Sequence, residues 1–130
     1  MAGSTVRLTA ARKCSLQEIH ERIHCIAGAE QISKTAQSIN DVTIWTLVYE
    51  KYYFRVSSYT SVTIVLTEYG QEQTACIVSS GGGAGLANHS LGANRKFAKE
   101  CVRALESCGF GIVESDLDMK DKGLLERFLK

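Results

Sequence analysis

From Val42 to Ser79 the chain carries three stretches rich in β-branched and aromatic residues, separated only by Ser57-Ser58 and Gly70-Gln71. Links that short cannot make the crossover that neighbouring parallel strands need, so the segment is confined to an antiparallel meander. In the first stretch, Val42 to Val56, Trp45, Leu47 and Tyr49 point one way while Ile44 and Val48 point the other. A bend or break is expected in it at Glu50-Lys51-Tyr52. In the second, Tyr59 to Tyr69, Val62, Ile64 and Leu66 share one side, with Thr63 and Thr67 on the other. The third runs from Gln73 to Ser79. A sheet of these strands has apolar area on both faces.

Helical spacing appears on either side of the meander. Ser15-Leu16-Gln17-Glu18 has the form of a capping box, and Leu16, Ile19, Ile23, Ile26 and Ala27 line one face after it, ending near Gly28. A second helix is expected from about Ala93 to Cys108, with Phe97, Ala98, Cys101, Val102, Leu105 and Cys108 on one face and Gly109 at the C′ position. Residues 5–10 alternate as a short first strand, and residues 31–41 read as polar and irregular. The expected fold is α+β, in the order β-α-β-β-β-α: a curved antiparallel sheet with two helices on one face. Residues 1–110 form that single domain. Residues 111–130 form a charged C-terminal extension in which Leu124, Leu125, Phe128 and Leu129 suit a short amphipathic helix.

Bulk charge removes some functions from consideration. Fifteen Lys and Arg against fourteen Asp and Glu leave a net charge of +1, which gives no global field for nucleic acid or an anionic membrane. No run approaches a membrane-spanning length, and residues 1–5 lack the apolar stretch of a signal peptide. The five cysteines, at 14, 25, 76, 101 and 108, form no CxxC pair, which points to free thiols in a reducing, cytoplasmic setting. Cys76, Cys101 and Cys108 fall on apolar positions, whereas Cys14 and Cys25 are expected nearer the surface. The aromatic run Trp45, Tyr49, Tyr52, Tyr53, Phe54 reads as sheet packing.

Three local patterns carry chemistry. His20-Glu21-Arg22-Ile23-His24 reads H-E-x-x-H on a helix, in which two imidazoles one turn apart grip zinc and Glu21 acts as the base. Such a zinc-dependent hydrolase lacks a clear third ligand, Glu50 being the best available. His20 and His24 are therefore expected to be structural or solvated, and no cofactor is required. Ser80, Gly81, Gly82, Gly83 and Gly85 form a glycine loop ahead of the second helix, with Asn88, Arg95 and Lys96 following. Strand, glycine loop and helix N-terminus together suit a small anion, or the close approach of another chain. It has neither a Gly-Lys-Ser/Thr ending nor the third glycine of a dinucleotide fingerprint. Without its first strand the order becomes α-β-β-β-α, that of double-stranded-RNA-binding modules, with Arg95, Lys96 and Lys99 at the start of the second helix.

Glu50-Lys51-Tyr52, followed by Arg55, Ser58 and Ser61 and then by Ser79-Ser80-Gly81-Gly82-Gly83, resembles a family of small bacterial proteins known as domain of unknown function 6054. The resemblance covers about residues 5–108 and implies a Glu-Arg-Tyr strand segment, a serine-rich turn, a hairpin, a Ser-Gly-Gly loop and a final helix. Lys51 stands where arginine is usual, Arg95-Lys96 where acidic residues are expected, and the chain after Gly109 is additional. The family pattern has neither the H-E-x-x-H helix nor a basic second helix, which counts against the zinc and RNA readings. The leading expectation is a small non-enzymatic domain that binds a ligand or protein and forms homo-oligomers through its second apolar sheet face.

Overall fold

The alternation from Val42 to Ser79 becomes three strands of a larger antiparallel sheet. The computed structural model describes residues 3–54, 57–81 and 87–115. In chain order these form β1 (Gly3–Ala10), α1 (Leu16–His24), β2 (Ala29–Ile39), β3 (Val42–Tyr53), β4 (Ser58–Tyr69), β5 (Glu72–Gly81), α2 (Ala87–Glu106) and β6 (Phe110–Ser115). The six strands lie in the order β2-β3-β4-β5-β1-β6, and every neighbouring pair is antiparallel.

The fold class is as expected, with more strands than expected. Residues 31–41, read as irregular, belong largely to β2, which pairs with β3 from Ala29↔Lys51 to Ile39↔Val42. As an edge strand, mostly exposed, β2 has little core to fill and so shows no apolar alternation. Its link to β3 is the two-residue turn Asn40-Asp41, with Asn40 at φ 55°. A register shift between Gln31 and Ser33 marks a bulge in it. The break expected at Glu50-Lys51-Tyr52 is absent, because β3 pairs with β4 without interruption from Val42↔Tyr69 to Tyr53↔Ser58. β6 is likewise additional: past Gly109, at φ 98°, the chain reverses and lays Phe110–Ser115 along β1. The second helix begins at Ala87, earlier than expected, and absorbs Asn88 to Gly92. A single interior glycine costs only about 1 kcal/mol, which the long apolar face behind it outweighs.

One core lies on one side of the sheet, and both helices close it. Inward strand positions are Val6, Leu8, Leu47, Tyr49, Val62, Ile64, Leu66, Ala75 and Ile77. Above them pack Ile19 and Ile23 from α1 and Phe97, Ala98, Cys101, Val102 and Leu105 from α2. Burying each large aliphatic side chain contributes roughly 1.5–3 kcal/mol. The Ser15 Oγ accepts from the Glu18 amide at 3.2 Å, the N-cap expected for α1. Gln73, buried on β5, accepts from the Cys14 amide at 2.8 Å and donates back to the Cys14 carbonyl, clipping the β1–α1 loop to the sheet.

Candidate docking face

Side chains alternate across a strand, so the register that fills the core fixes what stands on the reverse side. There, residues of neighbouring strands line up in rows. One row is Ile44–Thr67–Thr74–Thr9, the next Thr46–Val65–Cys76–Arg7, the third Val48–Thr63–Val78–Thr5, and a fourth begins Glu50–Ser61–Ser80. The middle of the face is made of valine, isoleucine and threonine with Cys76, while charge stays at the margins: Glu30, Glu50, Glu72, and Arg7 paired with Glu114. Among the described residues no helix lies on this side.

Six large apolar side chains stand exposed on this face: Ile39, Tyr52, Tyr59, Tyr69, Val78 and Val113, the last at 58% of its full exposure. Three relief features break its surface. At one end Tyr52 meets Tyr59 and Phe54 edge-on, with ring centroids 5.1 and 5.0 Å apart, and Phe54, in the turn, is 87% exposed. At the other end a depression of about 440 Å³ is lined by Ile39, Asn40, Asp41, Val42, Ile44 and Tyr69. A second depression, about 390 Å³, sits over Arg7, Thr9, Val65, Thr67, Cys76 and Val113.

The residues singled out from the sequence do not form one site. Ser80 is on this open face, where the Ser61 Oγ donates to its carbonyl at 3.2 Å. Gly81 ends β5. Gly82, Gly83 and Gly85 lie outside the described residues. Asn88 is in the first turn of α2. Arg95 and Lys96 are more than two turns past Ala87, which corrects their expected place at the helix start. Lys96 points across Tyr53, on the helix side of the sheet, with its Nζ 6.0 Å from the ring. The same shift takes Arg95, Lys96 and Lys99 away from the helix start required of a double-stranded-RNA module, and the six-stranded order is not that fold.

The H-E-x-x-H residues are engaged elsewhere. His20 donates from Nε2 to Gln31 Oε1 at 2.6 Å, and the Tyr49 hydroxyl donates to the same oxygen at 3.1 Å. Exposed His24 places Nδ1 3.4 Å from the Tyr49 hydroxyl. The nitrogen that a zincin helix turns to metal is thus the one that holds β2. Glu50, the best third ligand, stands on the opposite side of the sheet. Glu21 takes a side-chain contact from Gln17 at 3.4 Å. Among the described residues no group of three or more His, Cys, Asp or Glu is placed to hold a metal ion.

On the helix side, half-buried Lys51 meets Glu100 of α2 at 2.8 Å, and the Tyr53 hydroxyl reaches the same carboxylate at 3.4 Å. Burial, reinforced by Glu100 and partly offset by Lys51, pushes the Cys101 thiol up to about 12. Burial, with Cys108 and Glu18, pushes Cys14 up to about 11, and burial and Cys101 push Tyr49 up to about 12. Burial and then Glu100 raise the Tyr53 hydroxyl too. These shifts are opposite to those of an activated nucleophile. Cys76, expected as a small hydrophobe at an apolar position, is half-buried on the open face. The signal that located the face, Ile44 and Val48 opposite Leu47 and Tyr49, was legible, but its pairing with Val65, Cys76 and Val78 was not.

Together these features define a single-sheet α+β domain, helices on one side and a mixed threonine-valine surface on the other. The chain belongs to the family of unknown function DUF6054, whose model matches residues 1–109. No curated protein and no solved structure matches it significantly. β6 lies beyond the matched span. No described helix is long and apolar enough to cross a membrane.

Proposed function

We propose that this protein is a non-enzymatic binding module whose open sheet face docks another protein. The carrying observation is the concentration of six exposed large apolar side chains on one face of one sheet, around a centre without charge. A contiguous apolar surface of this kind costs solvation free energy in a free monomer and marks an interaction site. A surface that mixes valine with threonine suits a reversible partner, since non-obligate interfaces are only moderately apolar.

An environment-sensitive apolar dye tests the reading on the full chain at about 1 µM, where weak association is negligible. The wild type is expected to enhance dye emission. Val65→Glu combined with Val78→Glu is expected to abolish the enhancement with far-UV circular dichroism unchanged. Equal emission from both proteins would mean that the face offers the dye no apolar surface, and the proposal would fail.

A further inference from the structure

Two of the three relief features of the open face, the aromatic group and the larger depression, are complementary to each other, and they lie at opposite ends of the same two strands. The aromatic group is built on Tyr52 of β3 and Tyr59 of β4, which are cross-strand partners. The 440 Å³ depression is built on Val42 of β3 and Tyr69 of β4, which are also cross-strand partners. Ten residues of β3 separate the two, about 33 Å at roughly 3.3 Å per residue. The midpoint is Leu47 on β3 and Ile64 on β4, themselves partners in the ladder. An apolar protrusion and a hollow that is apolar but for Asn40 and Asp41, at opposite ends of one strand pair, are what a two-fold operator exchanges.

We infer that the open face takes a second copy of this chain. The two-fold axis runs across the strands between the Thr46–Val65–Cys76 and Val48–Thr63–Val78 rows. Each copy seats its Tyr52–Phe54–Tyr59 group against Ile39, Val42, Ile44 and Tyr69 in the depression of the other, with Asn40 and Asp41 at the turn beside it. This inference rests on the docking reading above and names its partner.

Area and charge agree with it. Six strands at about 4.8 Å spacing and roughly eight residues at about 3.3 Å rise give a face of about 760 Å². A standard interface buries about 800 Å² per partner, so the face is large enough for a reversible dimer. From β3 to β5 the rows beside the axis are uncharged, so stacking two copies buries no like charges there, and the Glu50 of each copy comes over the Ile44–Thr67 row of the other, away from its like. Arg7 brings its own counter-charge in Glu114. The net charge of +1 opposes association little and gives no preference for an anionic partner. Phe54 supplies the kind of large exposed ring that becomes an anchor when it finds a pocket. Two sheets packed this way keep their strands within about 30° of alignment, at roughly 10 Å separation.

Sedimentation equilibrium of the full chain between about 5 and 200 µM tests the inference, and a monomer–dimer equilibrium is expected in that range. Phe54→Lys alone and Ile39→Glu alone should each weaken dimerisation by about tenfold or more, through a lost anchor and a charge buried without a partner. The two combined in one chain should recover a large part of the loss, because the lysine of each copy then faces the glutamate of the other. Both positions are well exposed, so neither variant threatens the core. A monomer at every concentration, with the dye response intact, overturns the second copy as occupant and leaves the docking reading standing. Loss of both signals overturns both. A dimer indifferent to Phe54 and Ile39 places the contact elsewhere and also overturns the inference. So does a chain that dimerises only when cut after Ser115, since the face is then occupied by its own C-terminal segment.

Discussion

Gly28 shows how one residue joins three elements. It sits at φ 80° in the α1–β2 turn, a conformation that costs a residue with a Cβ about 1 kcal/mol or more. A Cβ there would meet the Lys51 Cε at 3.4 Å, and Lys51 is the side chain that crosses to Glu100. Gly28→Ala is therefore expected to lower stability by about 1–2 kcal/mol in urea denaturation, whereas Gly70→Ala, at φ 61° with open space around it, should cost about 1 kcal/mol or less. The buried acids make a second residue-level prediction. Cys101 and Cys14 ionise at about 12 and about 11 in the folded protein against 9.0 ordinarily, and Tyr49 at about 12 against 10.0. Folding thus favours their neutral forms. The stability they contribute is full below about pH 9 and is lost as pH rises from there toward about 12. Urea midpoints should fall between pH 9 and 11, and the fall should be shallower in Cys101→Val. An equal slope in the variant would assign the loss to other groups.

At the scale of elements, the loop between β1 and α1 is held by a side chain and not by a ladder. Gln73 satisfies both the amide and the carbonyl of Cys14 and donates to Glu68 at 2.9 Å. Replacing it with leucine keeps the volume and strands those backbone groups in a part-buried site. A cost of roughly 2–3 kcal/mol is expected, without change in the slope of the urea transition. A loss below about 0.5 kcal/mol would show that solvent reaches the loop and substitutes for the glutamine. β2 is the opposite kind of element. Outside its bulge its backbone is laddered to β3, and most of its side chains are exposed, so apart from Ala29, Gln31 and Lys34 its sequence is constrained little by packing. Its bulge at Gln31–Ser33 and Lys34 blunt the edge against further pairing. That makes the open face, and not this edge, the surface to expect in association.

For the whole molecule, β6 closes the second edge by pairing with β1 and contributes Phe110 to the core. A chain ending at Ser115 retains all of the described contacts and should melt within a few degrees of the full chain. One ending at Gly109 loses the Phe110 ring and the β1–β6 ladder, and should be at least 3 kcal/mol less stable, on the order of a large-to-small aromatic deletion. Equal melting of the two truncations would show β6 to be dispensable. Much of this architecture was readable along the chain. The meander follows from short turns and period-two alternation, the helices from capping and apolar spacing, and the second apolar face from Ile44 and Val48 standing opposite Leu47 and Tyr49. All of these depend on neighbours in sequence, whose relative orientation the backbone dictates. What the chain order could not reveal depends on partners far apart in it. β2 is a strand because β3 offers a ladder along its whole length, although its own residues are polar. β6 exists because β1, about a hundred residues away, presents an unpaired edge. His20, Glu21 and His24 match a metal motif in spacing, but the sheet puts Glu50, the best available third ligand, on its opposite side. The aromatic group and the depression on β3 and β4 become two halves of one surface only when register aligns the strands. Local sequence determines which way each side chain points, whereas only tertiary pairing decides what it points at.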